Sequence, residues 1–187
     1  MTKSKLDSRV AILMCTYNGA SYLQEQLDSI RAQKYENWHL YVSDDGSQDS
    51  TLDILGNFKS RTGRLCIFQG PKSGFCQNFL SLICDNSIKA DYYALSDQDD
   101  IWYEDKLLRA VTALSGISCE TPALYCSRTK LVDERNNETG LSPLFKRTPG
   151  FRNALVQNIG SGNTMVFNHA ARRLMLEVGS GINPVVH

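Results

Sequence analysis

Three carboxylates crowd the end of a predicted buried strand. The segment ALSDQDDIW (94–102) places Asp97, Asp99 and Asp100 directly after an apolar run. Residues i and i+2 of an extended chain lie on the same face, so Asp97 and Asp99 share one side. Two oxygen donors placed this way suit Mg²⁺ or Mn²⁺, which also takes phosphate oxygens from a substrate. We predict a metal site at Asp97 and Asp99, with helix capping by Asp99 or Asp100 as the alternative.

A second acidic loop, DDGSQDS (44–50), also follows a predicted strand. Asp44 and Asp45 could accept hydrogen bonds from a nucleobase or a ribose. The alternative is an ordinary Asp-Gly turn in which Ser50 caps the next helix. A calcium loop of the EF-hand type is excluded, because the acids do not follow its order and its final Glu is missing.

The elements that must position these loops alternate between strand and helix over the first 115 residues. Such alternation predicts an α/β fold with a parallel sheet and right-handed crossovers. Ligands of such sheets bind outside the carboxyl ends of the strands, where the acidic loops fall. The predicted strands are 9–16, 38–43, 65–69 and 91–96. The first predicted helix begins at a capping box formed by Ser21 and Gln24, and the others are 51–60, 75–84 and 104–114.

The alternation changes beyond residue 115. Strands are predicted at 122–127, 129–133 and 163–168, and a helix at 169–178. The stretch 134–150 is polar and rich in turn residues. Trp102, just after the acidic triplet, is expected to be a packing anchor. No linker distinct enough to divide the chain occurs, so we predict one domain over residues 1–187.

Composition excludes several classes of protein. The chain has 187 residues, with 20 Lys+Arg against 20 Asp+Glu, and this balance predicts no nucleic-acid partner. Its six cysteines lack C-x-x-C spacing, as expected for free thiols in a reducing cytosol. No apolar run reaches the length of a signal peptide or a membrane helix, which predicts a cytoplasmic protein. Small basic groups are predicted to be solvated: Lys146, Arg147, Arg152, Arg172 and Arg173.

Two common phosphate-binding motifs are missing. No G-x-G-x-x-G follows the first strand, and no G-x-x-x-x-G-K-[ST] occurs in the chain. Neither a dinucleotide fold nor a P-loop therefore has its cradle of backbone amides. A diphosphate bound here would depend on a metal ion, which agrees with the acidic triplet.

Four segments, in order, resemble the family 2 glycosyltransferases, whose GT-A fold is a Rossmann-like, mostly parallel sheet flanked by helices. They are VAILMCTYNGASYLQEQLDSI, YVSDDGSQDST, NFLSLI and YALSDQDDIW. The resemblance covers about residues 9–110 and is strongest to the bacterial branch that includes rhamnosyltransferases of surface polysaccharides. A further segment, GSGNTMVFNHAARRL, resembles the Gly-rich stretch before the acceptor-side helix of the family.

The resemblance implies a role for each matching residue in the nucleoside pocket. Thr16, Tyr17 and Asn18 would line this pocket, with Tyr17 against the base. Asp45 would accept a hydrogen bond from the base, with Asp44 beside it.

The same resemblance implies the remaining contacts of the donor. Asp97 and Asp99 would form the D-x-D motif of the family, with Asp97 towards the ribose and Asp99 on the metal. Gly74 and Asn78 would flank the nucleotide. The arginine that often precedes this asparagine in the family is replaced here by Gln77.

The implied function is metal-dependent, inverting transfer of a sugar from a dTDP- or UDP-sugar. Its acceptor would be a glycan or a lipid-linked saccharide of a surface polysaccharide, handled in the cytoplasm or at the inner face of the membrane. Residues 1–115 would be the nucleotide-binding half and 116–187 a partial acceptor-side half, incomplete at its C-terminus.

No catalytic base is identified, and we expect it beyond His187. The alternative is a nucleotide-sugar-binding domain or fragment that lacks the base. A nucleotidyltransferase is disfavoured, because TYNGAS has no basic residue to hold a triphosphate.

Overall fold

The computed structural model describes residues 7–144 and 160–179. The predicted alternation of strand and helix in the first 115 residues is confirmed. The strands are β1 (Val10–Thr16), β2 (Trp38–Asp44), β3 (Leu65–Gln69) and β4 (Tyr92–Ser96), and the helices are α1 (Leu23–Arg31), α2 (Thr51–Thr62), α3 (Phe75–Cys84) and α4 (Lys106–Ser115).

The later strands that the sequence predicted are shorter in the structure, whereas the predicted helix at 169–178 is confirmed. The later elements are β5 (Leu124–Tyr125), β6 (Lys130–Val132), β7 (Glu138–Leu141), a 3₁₀ turn (Gly162–Thr164), β8 (Val166–Asn168) and α5 (His169–Val178). The prediction of a turn-rich 134–150 is wrong at 138–141, because β7 pairs there with β6. The carboxylate of Asp133 accepts the backbone N–H groups of Arg135 and Asn137, and this turn reverses the chain into the hairpin.

The main sheet has six strands in the order β3-β2-β1-β4-β8-β5. Strands β1 to β4 are mutually parallel, as predicted, whereas β8 pairs antiparallel with both β4 and β5. Together with the flanking helices this is the predicted mostly parallel α/β arrangement. Parallel pairing brings the loops after β1, β2, β3 and β4 to one edge of the sheet.

The central strand β1 is buried along all seven residues, which explains its continuous apolar sequence. Alternate residues point to opposite faces. Ile12 packs with α1 and α4 on one face, and Leu13 packs with α3 and α5 on the other. Trp102, 5% exposed, belongs to the first of these two cores, so its predicted role as a packing anchor is confirmed.

The predicted capping box at Ser21 and Gln24 is wrong. Helix α1 begins at Leu23, and no side chain caps it. The carbonyl of Gly19 instead accepts the backbone N–H groups of Tyr22 and Leu23, and Asp49 accepts that of Ala20. The loop that leaves β1 therefore determines where the helix begins.

Arg172 is buried, which corrects the prediction that it is solvated. Its guanidinium donates to the carbonyl oxygens of Ile83, Asp85 and Ile88 and to the hydroxyl of Tyr93. These bonds join α5 to the end of α3 and to β4. Arg173 is half exposed and pairs with Glu120, whereas Lys146, Arg147 and Arg152 lie outside the described residues.

All six cysteines have free thiols, as predicted. Within residues 7–144 and 160–179, no helix has the length and apolar character needed to cross a bilayer.

The contacts of Arg172 predict a large effect of its removal. Arg172→Met removes the donor to the buried carbonyl oxygens of Ile83 and Ile88, so we expect the free energy of unfolding to fall by about 3 kcal/mol. Arg173→Met is the matched control, because an exposed ion pair contributes at most about 1 kcal/mol. Urea unfolding of both variants measures the difference, and equal losses would contradict the structural role of Arg172.

Candidate functional site

The loops after the four parallel strands are joined by hydrogen bonds at one edge of the sheet. The backbone N–H of Asp45 donates to the carbonyl of Thr16, and that of Gly70 donates to the carbonyl of Asp44. The backbone N–H of Tyr17 donates to the side chain of Gln98. The loops that the sequence placed at this edge therefore form one surface.

Asp44 is the buried centre of this surface. Its carboxylate accepts hydrogen bonds from the hydroxyls of Thr16 (2.8 Å) and Ser47 (2.6 Å) and from the backbone N–H groups of Gly46 and Ser47. Burial tends to raise the pKa of Asp44, but these hydrogen bonds outweigh it and hold the pKa below its ordinary value. The ionised carboxylate of Asp44 therefore joins the ends of β1 and β2 through its hydrogen bond with Thr16.

Asp45 organises the loop after β3. Its two carboxylate oxygens accept the backbone N–H groups of Lys72 (2.6 Å) and Gly74 (3.0 Å). Gly74 has a φ of 85°, in the region that favours glycine, and it lies at the start of α3. A carboxylate oxygen can accept more than one hydrogen bond, so Asp45 can hold this loop and still contact a ligand.

Asn78 supports the site from below. It is 1% exposed, and its side-chain N–H donates to the carbonyl of Ser43 (2.9 Å). Its Oδ1 has no hydrogen-bond partner among the described residues. Gly70 passes so closely that an added Cβ would lie 2.8 Å from both Asn78 Oδ1 and Asp45 Oδ1. This close packing requires glycine at position 70.

The loop after β1 presents an aromatic side chain. Tyr17 is 59% exposed, at the edge where the acidic loops meet. Asn18 has a φ of 46°, a left-handed conformation that asparagine tolerates. Its backbone N–H donates to Ser47, and its side-chain oxygen accepts the backbone N–H of Gln48. These contacts fix Tyr17 and Asn18 against the loop after β2.

Gln98 holds the loop that carries Tyr17, a role that the sequence analysis did not identify. Its side-chain oxygen accepts the N–H of Tyr17 (2.9 Å), and its side-chain nitrogen donates to the carbonyl of Tyr17 (3.2 Å). A Cβ at Gly19 would overlap this side chain. No sequence signal identified the contact, because the two loops are 81 residues apart.

Two acids of the triplet, Asp97 and Asp100, are partly buried, whereas Asp99 is exposed. Burial, followed by the charges of Asp100 and Asp99, raises the pKa of Asp97 to about 6. Burial likewise raises the pKa of Asp100, against a hydrogen bond from Asn163. Burial lowers the pKa of the neighbouring Lys106 to about 8. One ammonium group faces several carboxylates, so this loop favours an additional cation.

Helix capping does not explain the triplet. Helix α4 begins at Lys106, and Asp105 occupies the preceding cap position. The alternative for Asp99 and Asp100 is therefore wrong.

The donor set fits a divalent cation that a substrate helps to bind. Within the described residues, no three or more His, Cys, Asp or Glu side chains are grouped to hold a metal by themselves. Two carboxylates at Asp97 and Asp99 would leave the other ligand positions to water and phosphate oxygens, which is how Mg²⁺ is commonly held.

Lys106 and Asn163 also reach this loop and were not singled out from the sequence. Lys106 Nζ donates to the carbonyl of Asn163, and Asn163 Nδ2 donates to Asp100 (2.7 Å). Asn163 lies in the Gly-rich stretch that resembles the family. The sequence spacing could not show that its side chain contacts Asp100. The base expected beyond His187 falls outside the described residues.

Comparison with known proteins identifies the family of the chain. The sequence profile described as "Glycosyl transferase family 2" matches residues 11–178. The dTDP-rhamnosyl transferase RfbG of Shigella flexneri is 37% identical over 143 residues, covering 71% of this chain and 50% of that protein. An uncharacterized glycosyltransferase of Rickettsia typhi, RT0329, is 28% identical over 73% of this chain and 41% of its own length. The chain thus spans about half the length of these relatives, or less.

Solved structures show the same fold at low sequence identity. The mannosyltransferase PcManGT of Pyrobaculum calidifontis, in complex with GDP-Man and Mn²⁺, has a TM-score of 0.65 at 19% identity. That match covers 94% of this chain and 48% of the other. TarS 1–349 of S. aureus has a TM-score of 0.53 at 21% identity, covering 58% of this chain and 32% of the other. Both support the GT-A arrangement of the sheet.

The hydrogen bonds of Asp44 predict a pH-dependent stability. Its pKa in the folded protein is below the unfolded value, so its contribution is present above about pH 4 and is lost as the pH falls further. We expect Asp44→Asn to reduce the free energy of unfolding by about 2 kcal/mol at pH 7, and by less in acid. Urea unfolding from pH 7 to pH 3 measures this.

The control for this prediction is Asp53→Asn, on the exposed side of α2. Its effect should stay within about 0.5 kcal/mol at every pH. A constant effect of Asp44→Asn across the pH range would contradict the prediction.

Proposed function

Because the chain belongs to glycosyl transferase family 2, we propose that this edge of the sheet binds a nucleoside-diphosphate sugar. The full-length protein would transfer that sugar to an acceptor. The supporting observation is the convergence of four loops that offer an exposed aromatic ring, a carboxylate with spare acceptor capacity and a separate acidic pair. These are the groups that a base, a ribose and a metal-bound diphosphate require.

The nucleoside would lie between the loops after β1 and β2. Tyr17 would stack on the base, because its ring is exposed while its backbone is fixed by Gln98. Asp45 would accept a hydrogen bond from the base. Thr16, Asn18 and Asp44 would shape the wall of this pocket, since their polar groups are already engaged with one another or with the neighbouring loop.

Gly74 and Asn78 would act as support on the other side. The backbone N–H of Gly74 is held by Asp45, and Asn78 is buried beneath the end of β2. Both therefore position the loop after β3 without needing direct contact with the nucleotide.

Asp97 and Asp99 would hold Mg²⁺ or Mn²⁺ together with the diphosphate. A bound divalent cation would act as a Lewis acid that stabilises negative charge on the departing phosphate. The chain would contribute two carboxylates from the loop just after β4, with Asp97 towards the ribose. The partial burial of Asp97 would strengthen its attraction for a cation, and the exposed Asp99 would be open to water and phosphate.

The donor would carry dTDP or UDP. The support is the likeness to a dTDP-rhamnosyl transferase at 37% identity and, for UDP, a TarS complex with that nucleotide. Transfer to a glycan or lipid-linked acceptor, with inversion at the anomeric carbon, would need a base that deprotonates the acceptor hydroxyl.

A calorimetric titration tests the donor site. We expect one of UDP and dTDP to bind in Mn²⁺ and to lose its affinity in excess EDTA, because the diphosphate depends on the cation. Binding that is unchanged in EDTA would contradict the metal role. No binding of either nucleotide would contradict the donor site itself.

A carboxylate substitution assigns the metal ligand. Asp99→Asn should weaken nucleotide binding in Mn²⁺ by at least about tenfold, since an amide is a poorer ligand than a carboxylate. Asp105→Asn is the control, because Asp105 is paired with Arg109 on α4 and lies outside the triplet. Equal effects of the two substitutions would mean that general charge, and not ligation, is responsible.

The position of Tyr17 gives a separate prediction. Gln98→Ala removes both hydrogen bonds to the backbone of Tyr17, so we expect nucleotide affinity to fall about tenfold. Gln48→Ala, a glutamine exposed on the neighbouring loop, should bind as the wild type does. Nucleotide titration in Mn²⁺ measures the affinity of both variants. An unchanged affinity of Gln98→Ala would contradict the role of Gln98 in positioning Tyr17.

A further inference from the structure

Asp100 differs from the other two acids of the triplet because it already has a partner. Asn163 Nδ2 donates to Asp100 Oδ2 at 2.7 Å. An ionised carboxylate only accepts hydrogen bonds and an amide nitrogen only donates them, so this contact fixes the orientation of the asparagine. The partner comes from the Gly-rich segment, 63 residues away in the sequence.

Lys106 completes the cluster. Its ammonium lies 3.9 Å from the centroid of the Trp102 ring and donates to the carbonyl of Asn163. Asn163 is thus held through its side chain by the acidic loop and through its backbone by α4. The positive charge of Lys106 is attracted by the carboxylates of Asp100 and Asp97.

The topology of the sheet explains why these residues meet. Strand β8 is antiparallel to β4, with Val166 opposite Ala94, so the chain before β8 lies beside the loop after β4. The backbone N–H of Leu95 donates to the carbonyl of Met165, which extends this contact. At the other end, Gly160 packs so closely on Cys126 that an added Cβ would lie 2.7 Å from its sulfur. We call residues 160–165 the glycine segment.

We propose that Asp100 is a positioning residue and not a metal ligand: through Asn163 it holds the glycine segment against the metal-binding loop. This inference rests on the proposed donor site. Binding of a metal–nucleotide complex at Asp97 and Asp99 then restrains the glycine segment, since both are attached to one loop. Donor occupancy and the position of this segment are therefore coupled.

Hydrogen exchange measured by mass spectrometry on the full chain tests the coupling, with UDP or dTDP in Mn²⁺ as the probe. In the wild type, the nucleotide that binds should slow exchange in peptides covering the glycine segment. Asp100→Asn should retain this effect, because its side-chain oxygen still accepts from Asn163. Asp100→Ala and Asn163→Ala should lose it. Urea unfolding confirms beforehand that each variant is folded.

Affinity separates the positioning role from metal ligation. Asp100→Asn should weaken nucleotide binding in Mn²⁺ by less than about tenfold, in contrast to Asp99→Asn. An effect as large as that of Asp99→Asn would make Asp100 a ligand and overturn the inference. Retained slowing of exchange in Asp100→Ala would also overturn it.

Failure of the proposed donor site can be distinguished from failure of the positioning role of Asp100. If the wild type bound neither nucleotide, the proposed function would fail. The contact itself would still be tested without ligand, because the glycine segment should exchange faster in Asp100→Ala than in Asp100→Asn. Equal rates would overturn the positioning role on their own.

Discussion

The hydrogen bond between Thr16 and Asp44 is the contact on which the rest of the site depends. It joins the last residues of β1 and β2, which are also paired in the sheet. Because Asp44 is ionised and nearly buried, its four donors are necessary, and they fix the turn at Gly46 and Ser47. The loops that carry Tyr17 and Asp45 begin from this fixed point, so their geometry exists before any ligand binds.

The two acidic loops at this edge of the sheet differ in how their negative charges are compensated. Hydrogen bonds from the protein compensate Asp44 and Asp45, whereas the triplet at the end of β4 is only partly neutralised by Lys106. A folded protein that retains such repulsion gives up some stability at that loop. A cation would relieve this repulsion. Under the proposed function, this difference between the two acidic loops would separate a pocket for neutral groups from a site for metal and phosphate.

Sequence reasoning succeeded where the signal was local. The continuous apolar run of β1 and the helical spacing of α3 and α4 follow directly from burial, and parallel pairing follows from alternation. The predicted acids also fall at the expected edge. Contacts between distant segments could not be derived this way, because Gln98 with Tyr17 and Arg172 with the end of α3 depend on tertiary packing. Ser21 failed as a cap for the same reason: contacts of the loop after β1 override the local motif.

Strand β8 runs antiparallel to β4, and this direction determines where the second half of the chain meets the candidate site. A parallel strand would have brought its amino-terminal end to the opposite edge of the sheet, away from the acidic loop after β4. The antiparallel register instead places Met165 beside Leu95, and so brings the glycine segment to Asp100. The edge that carries the loops after β1, β2, β3 and β4 thus receives a fifth segment from the second half of the chain. Joined by Asn163 and Lys106, the two halves meet where a donor sugar would have to meet its acceptor.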